Sequence, residues 1–560
     1  MLATALSALG GASARGADGV NRAAGAADLV IVNASLLTVG DGTAATALAV
    51  ADGKIVAVGT DAQILALRDA GTKVIDAHRH TVLPGFNDNH AHLYWGARAL
   101  ASPDVRDLAD LAAIQKRVAG YAQDNPDTAW VQAGGWLPYQ IPGGVPDRSM
   151  LDAISTTRPI VLWALDRHSA WVNTKALELA GITRSTPNPP EGLFVKDPRT
   201  GEPTGWLKEI SAVGYLQDHM PALTEAQKGR LMERAMDEAH KYGVTSINEA
   251  FGDEDEFTIL DGLRRAGKLT LRVTYALGVT PDFSDARFAD YQAFWKAHPA
   301  TPLLKTGVVK FFLDGVPQAD TAYLLEPWGP QKILGKPIWS PRDYTAMVTR
   351  FDAAGWQIMT HAMGDAAVRE ALDGYEAAEK ANPAPARGRR HRIEHAFLVN
   401  PADIPRFARL GVIAAYQPND AFIGPDAAEE GGKAMPDLVG RQGHAPQDGG
   451  RWNAIRAAGG RSSLGSDWPV FTMNALTRIY ALVNAKREDL RVSLREGIDM
   501  YTRQSAYTTF SDTTQGSLAV GQFADIVILS RDLENDPPTR AQDLAVDQTI
   551  FNGTLVYSRP

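Results

Sequence analysis

The chain has no cysteine in 560 residues. This excludes disulfides, thiolate nucleophiles, thiolate zinc sites and cysteine-held iron–sulfur clusters. It leaves the compartment open, because a chain without thiols folds in either redox environment. No apolar run approaches the roughly 20 residues of a membrane-spanning helix. Excess positive charge is missing too: 56 Lys and Arg stand against 65 Asp and Glu, a net charge of −9. No attraction for nucleic acid or an anionic membrane is therefore expected. The one basic cluster, RGRRHR over 387–392, leads into a strand and is not read as a nucleic-acid surface. A glycine-rich phosphate turn after an early strand is also absent, which argues against a doubly wound nucleotide-binding sheet. Any metal here must be held by His, Asp, Glu or Lys.

What is present is an ordinary globular composition, 45% apolar and 22% charged, in a chain long enough for three to four domains at about 150 residues each. Residues 1–26 are rich in Ala, Gly and Ser. They read as a disordered tail or a signal remnant: Ala12-Ser13-Ala14 resembles a cleavage site, but a basic leading region is missing. An exported and a cytoplasmic location both stay open. From Asp28 onward, β-branched runs broken by Gly and Asp suggest hairpins, and the last 40 residues have the same texture. Both ends are expected to meet in one composite β-sandwich, 27–80 with 510–560.

Between them, apolar runs alternate with capped helical patterns. Eight strands are expected, at 81–87, 243–250, 271–277, 307–313, 357–361, 392–396, 411–416 and 462–466. Thr224-x-x-Gln227 and Ser493-x-x-Glu496 are capping boxes, and Ser340-Pro341 and Asn400-Pro401 place Pro at the first helical position. The fold class is α/β, a (β/α)8 TIM-like barrel over 81–94 and 216–509. Some 150 residues separate the first two strands, far more than a βα connection needs. Residues 95–215 are therefore read as an inserted subdomain facing the substrate. This region holds six of the twelve tryptophans, Trp95, Trp130, Trp136, Trp163, Trp171 and Trp206. They serve either its own core or an apolar pocket over the barrel mouth. The Gly- and charge-rich stretch 419–451 reads as a lid or a mobile loop.

Catalytic residues of a barrel sit at the C-terminal ends of its strands. His90 and His92, two apart after the first strand, project to one side; paired imidazoles suit a metal. His78 and His80 have the same spacing but belong to the sandwich side and read as surface residues. Lys310 lies in an apolar run, where burial would favour a neutral amine. Such an amine can take up carbon dioxide as a carbamate; the alternative is a snorkelling or salt-bridged Lys. His361 and His395 end the fifth and sixth strands, and Asp467 ends the eighth. Each alone is ordinary, but the joint pattern is specific.

PGFNDNHAH, VVKFFLDG, HAMGDAA, RIEHA and LGSDWP resemble the amidohydrolase superfamily, in its YtcJ-like branch, which includes N-substituted formamide deformylases. DRHSAWVNTKAL (166–177), GEPTGWLKE (201–209) and GSLAVGQFADIVIL (516–529) resemble that branch as well. The resemblance implies that His90, His92 and Asp467 bind one metal. Carboxylated Lys310 would bridge to a second metal held by His361 and His395. Zinc suits these ligands, two ions per chain, with another divalent metal left open. The implied reaction is hydrolysis of a C–N bond of a small, apolar or aromatic amide or formamide by a metal-bound hydroxide. Asp467 would serve as base and then acid. Asp314, Asp365 and Glu394 are candidates to orient the imidazoles. His168 and Asp166, with Arg167 and Asn173 beside them, are candidates for substrate contact. Trp136, Trp468 and Tyr94 are candidate pocket walls. A mononuclear deaminase, or an isomerase or lyase on the same barrel, remains the alternative. A small-molecule substrate is the expected partner, without nucleic acid or a membrane span, and a homo-oligomer is left open.

Overall fold

The computed structural model describes residues 26–37, 45–317, 320–328, 332–418, 449–485, 487–538 and 540–560. Residues 1–25 and most of 419–451 lie outside these, so the expected tail and lid receive no structural account.

Eight parallel strands form the central sheet: β1 (Phe86–Ala91), β2 (Val244–Gly252), β3 (Arg272–Gly278), β4 (Leu304–Phe312), β5 (Gln357–Ala362), β6 (Arg392–His395), β7 (Ile413–Tyr416) and β8 (Arg461–Leu464). Each pairs with its sequence neighbour, as repeated right-handed βα units require. The barrel closes between β8 and β1, where Asn89 Nδ2 donates to Ser463 Oγ and the Asp467 N–H donates to the His90 carbonyl at 2.7 Å. Alternation along the strands sorts side chains inward and outward. On β4, Val309 and Phe311 pack outward into the large core beneath the helices. Val308 meets Ala250, Ala276 and Met359 in a small apolar cluster inside the barrel.

The first expected strand, 81–87, is two strands. Thr81–Pro84 pairs with Ile526–Leu529 in the sandwich, and the barrel strand starts only at Phe86. Gly85 makes the break: a Cβ there would lie 2.1 Å from Thr245 Oγ1. The other seven strands fall within three residues of their expected bounds.

Segments from both chain ends build two further sheets. One orders strands 54–59, 47–51, 29–32 and 73–76; the other orders 35–36, 81–84, 526–529, 546–551 and 554–558. Leu29, Ile31, Val50, Val82, Ile526 and Ile550 pack between them. Arg272 on β3 ties this pair to the barrel by a two-pronged ion pair to Asp525, at 2.6 and 3.0 Å. His78 and His80 lie here, as expected; His80 Nδ1 is 3.3 Å from Asp547. Between β1 and β2, five strands from Val131 to Lys208 form a separate sheet with apolar clusters on its faces. Among the described residues, no helix is long and apolar enough to cross a membrane.

Candidate metal centre and active site

The C-terminal ends of β1, β5 and β6 place a row of imidazoles. The ring of His90 lies 5.4 Å from His92 and 4.9 Å from His395. His361 lies 4.5 Å from His395 and 5.5 Å from His168, the latter brought over from the insertion. Asp467 completes the group, with Oδ1 3.4 Å from His90 Nε2 and 3.3 Å from His92 Nε2. Its Oδ2 is 3.9 Å from His395 Nδ1. Among the described residues, His90, His92 and Asp467 present ligand atoms that all lie within 4.8 Å of one another. His90 Nε2, His92 Nδ1 and Lys310 Nζ are buried without a hydrogen-bond partner. Orphaned polar atoms at this density are rare unless something else is to bind them, so the donor set fits a divalent cation.

The electrostatics favour ligation. Burial pushes His395 down to about 3, and burial with the charges of His395, His168 and Lys310 holds His361 well below its ordinary value. Both stay neutral at pH 7, the form a metal requires. Burial opposes ionisation of Asp467, but His90, His92 and His395 outweigh it and keep the carboxyl well below its usual range. Burial also lowers the Lys310 ammonium to about 8. Its Nζ lies 4.6 Å from the Phe312 ring.

Buried carboxylates back the imidazoles. Glu394 accepts from His90 Nδ1 and from Arg392 Nε at 2.8 Å and Nη2 at 2.9 Å. A donating Nδ1–H leaves Nε2 free toward the centre. Asp314 lies 3.7 Å from His361 Nε2 and accepts the amides of Tyr323, Met363 and Gly364. Burial nonetheless raises its carboxyl to about 7. Asp365 differs from expectation. It opens the helix after β5, its Oδ1 accepts the Leu325 amide at 2.9 Å, and among the described residues it reaches no imidazole.

Two acids were missed. Glu249, inside the apolar run of β2, has Oε1 3.7 Å from His92 Nδ1, and its Oε2 accepts the Leu93 amide at 2.6 Å. A carboxylate in a buried strand is the same kind of signal as Lys310. Glu209 closes the GEPTGWLKE motif; its Oε2 meets His168 Nδ1 at 2.8 Å, and its Oε1 accepts from Thr321. Burial lowers His168, but Glu209 and Asp166 outweigh it and raise the imidazole above its usual value.

The cavity above this row is lined by Trp95, Asp166, Arg167, His168, Phe312 and Phe397 among others. Asp166 accepts the His168 amide at 2.9 Å. Five non-glycine residues around the site have positive φ: Arg167 (62°), Glu209 (69°), His395 (70°), its neighbour Ala396 (41°) and Asp467 (59°). Such strain persists only where surrounding structure enforces it, and it concentrates at functional sites.

The expected pocket walls are not there. Trp136 is fully buried in the insertion, its indole N–H donating to the Leu162 carbonyl. Trp468 packs on Gly96, where a Cβ would lie 2.0 Å from its ring. Tyr94 points into the core, near Arg98 and Lys228. Of the six insertion tryptophans, Trp95 alone lines the cavity, stacked on His92 at 4.6 Å and 22°. Asn173 is structural: it caps helix Thr174–Leu179 and uses its amide on the Ser155 and Arg158 carbonyls. The basic cluster is spent on partners, Arg389 on Asp352 and Arg390 on Asp512.

Comparison with known proteins follows the same line. The family model described as "Amidohydrolase family" matches residues 73–557. "Protein LONG AFTER FAR-RED 3" of Arabidopsis thaliana is 29% identical, over 90% of this chain and 87% of its own. An "N-substituted formamide deformylase" of Arthrobacter pascens is 26% identical, over 95% of this chain and 98% of its own. An uncharacterized metal-dependent hydrolase from Pyrococcus furiosus shares the fold, with a TM-score of 0.68 at 23% identity, over 89% of this chain and 98% of its own.

Proposed function

The chain belongs to the amidohydrolase family, and from that premise we propose that it hydrolyses a C–N bond of a small amide or formamide, with divalent metal held at the C-terminal end of the barrel. The observation that carries this reading is the cluster of His90, His92 and ionised Asp467, whose ligand atoms all lie within 4.8 Å of one another, with His90 Nε2 and Lys310 Nζ buried and without a hydrogen-bond partner. In this reading His90, His92 and Asp467 would hold one ion, and His361, His395 and a carboxylated Lys310 would serve a second. Zinc suits this imidazole and carboxylate set, and hydrolysis needs no redox chemistry. When bound, it acidifies a water and polarises a carbonyl oxygen.

The chain's own residues do the rest. Asp467 takes the proton of the attacking water and delivers it to the leaving nitrogen; without that proton an amine leaves poorly. His168, held by Glu209 and kept inclined to protonation, donates a hydrogen bond to the substrate carbonyl oxygen. Glu394 and Glu249 fix the orientation of His90 and His92. Trp95, Phe312 and Phe397 exclude water and favour an apolar substituent. The Arthrobacter relative, an N-substituted formamide deformylase, supports formamides as the substrate class.

The test is incubation of the purified, zinc-loaded protein with N-benzylformamide and a panel of simple amides. Equimolar release of amine and carboxylic acid is expected. No release, together with one metal ion per chain and ammonia release from an amino-heterocycle, would move the reading to a mononuclear deaminase.

A further inference from the structure

We infer that the substrate carries an anionic group, a carboxylate or its equivalent, held away from the scissile bond by Arg167 and Arg98. The inference rests on the hydrolase reading above.

A side recess adjoins the catalytic cavity and shares Trp95 and Arg167 with it. Trp95, Arg98, Gln132, Trp163, Arg167 and Gln217 line most of the recess. It therefore contains two guanidiniums and, among its described lining residues, no carboxylate. Both arginines are half-buried, and neither has a carboxylate within ion-pair distance among the described residues, whereas the buried Arg272 and Arg392 are each paired with one. Arg167 Nε is buried with no partner at all. Burying a guanidinium without an anion is costly. Here burial and the nearby Arg106 depress its basicity to about 10, and Asp104, Arg98 and Asp166 act less.

Position is enforced as well as charge. Arg167 sits in a left-handed turn at φ 62°, one residue before His168, whose ring touches His361. Its guanidinium lies over Gly134, where a Cβ would approach Nη2 to 3.2 Å, so a side chain at 134 would crowd it. Gln132 accepts the Trp163 indole N–H at 3.2 Å, which fixes its amide and leaves its NH2 as another donor for an anion. Two guanidiniums and the Gln132 amide line the recess without a carboxylate among its described residues, and Trp95 and Trp163 flank the space. Such a site takes a flat apolar group ending in an anion, with the planar fork of Arg167 suited to a carboxylate.

The test compares two substrates with the same reacting bond, N-benzylformamide and its para-carboxylate, on the zinc-loaded protein. The carboxylate is expected to have at least tenfold higher kcat/KM, mostly through KM. Arg167→Gln is expected to abolish the preference, and Arg167→Lys to keep part of it. Binding of 3-phenylpropanoate against 3-phenylpropanamide, followed by tryptophan fluorescence, gives a readout without turnover. Preference for the acid in the wild type, lost in R167Q, supports the site. Equal binding of acid and amide by the wild type, or a preference that survives in R167Q, overturns it. If neither formamide turns over, the hydrolase reading fails, and the binding comparison still decides the anion site.

Discussion

Glu394→Gln is the substitution with the most to report. The carboxylate is fully buried and accepts three N–H groups, two from Arg392 and one from His90. Arg392 is itself fully buried and also donates to the Asn89 carbonyl at 2.7 Å. An amide offers one acceptor oxygen, and its NH2 would face donors. Either the guanidinium or the imidazole must lose its partner. Breaking a buried pair while leaving its partner charged costs about 3–5 kcal/mol. Urea unfolding of the metal-free protein should show a loss of that order, free of any contribution from metal binding. Zinc affinity should fall separately, by roughly 10–100-fold, because His90 loses the group that sets its tautomer. Two results would refute the reasoning. Unchanged zinc affinity with the expected loss of stability would reduce Glu394 to a structural partner of Arg392. Unchanged stability would mean that the buried network is not formed.

Asp467→Asn should retain metal yet lower turnover by about 10²–10⁴-fold; unchanged turnover would end its role in proton transfer. Trp136→Ala should cost about 3–5 kcal/mol of stability with KM unchanged, whereas Trp95→Ala should raise KM with a smaller effect on stability; paired melting and kinetic measurements decide. Burial raises the Asp352 carboxyl, but hydrogen bonds from His391, Arg389 and Asn382 outweigh it and hold it at about 2. Its contribution is therefore present above the ordinary carboxylate pKa near 3.8 and is lost as pH falls toward 2. Unfolding of Asp352→Asn should be less dependent on pH between 4 and 2 than that of the wild type.

The barrel was legible because apolar runs and helix caps recur with a fixed rhythm, and seven of its strands lie where that rhythm put them. The first did not, because Thr81–Pro84 runs through Gly85 into Phe86 without a polar break, the barrel strand that follows is itself polar from Asn87 to His90, and only the close approach of Gly85 to Thr245 separates the two strands in space. The imidazoles and Asp467 were legible as polar residues at strand ends. Glu249 carried a signal, an acid in a buried strand, but nothing in sequence says which histidine it faces. Glu209 needed the insertion's fold over the barrel, which no local pattern encodes. For the insertion tryptophans the sequence left two readings open, and the core one holds for most of them: their size marks burial, and a small five-stranded sheet takes Trp136 and its neighbours into its own core.

Metal content bears most directly on the account, measured by elemental analysis of the purified protein and of two double variants, His90→Ala with His92→Ala and His361→Ala with His395→Ala. Two zinc ions per chain in the wild type, with loss in each variant of the ion its histidines hold, is the predicted result. A wild-type protein that binds no divalent metal, or variants that keep its full content, would contradict it.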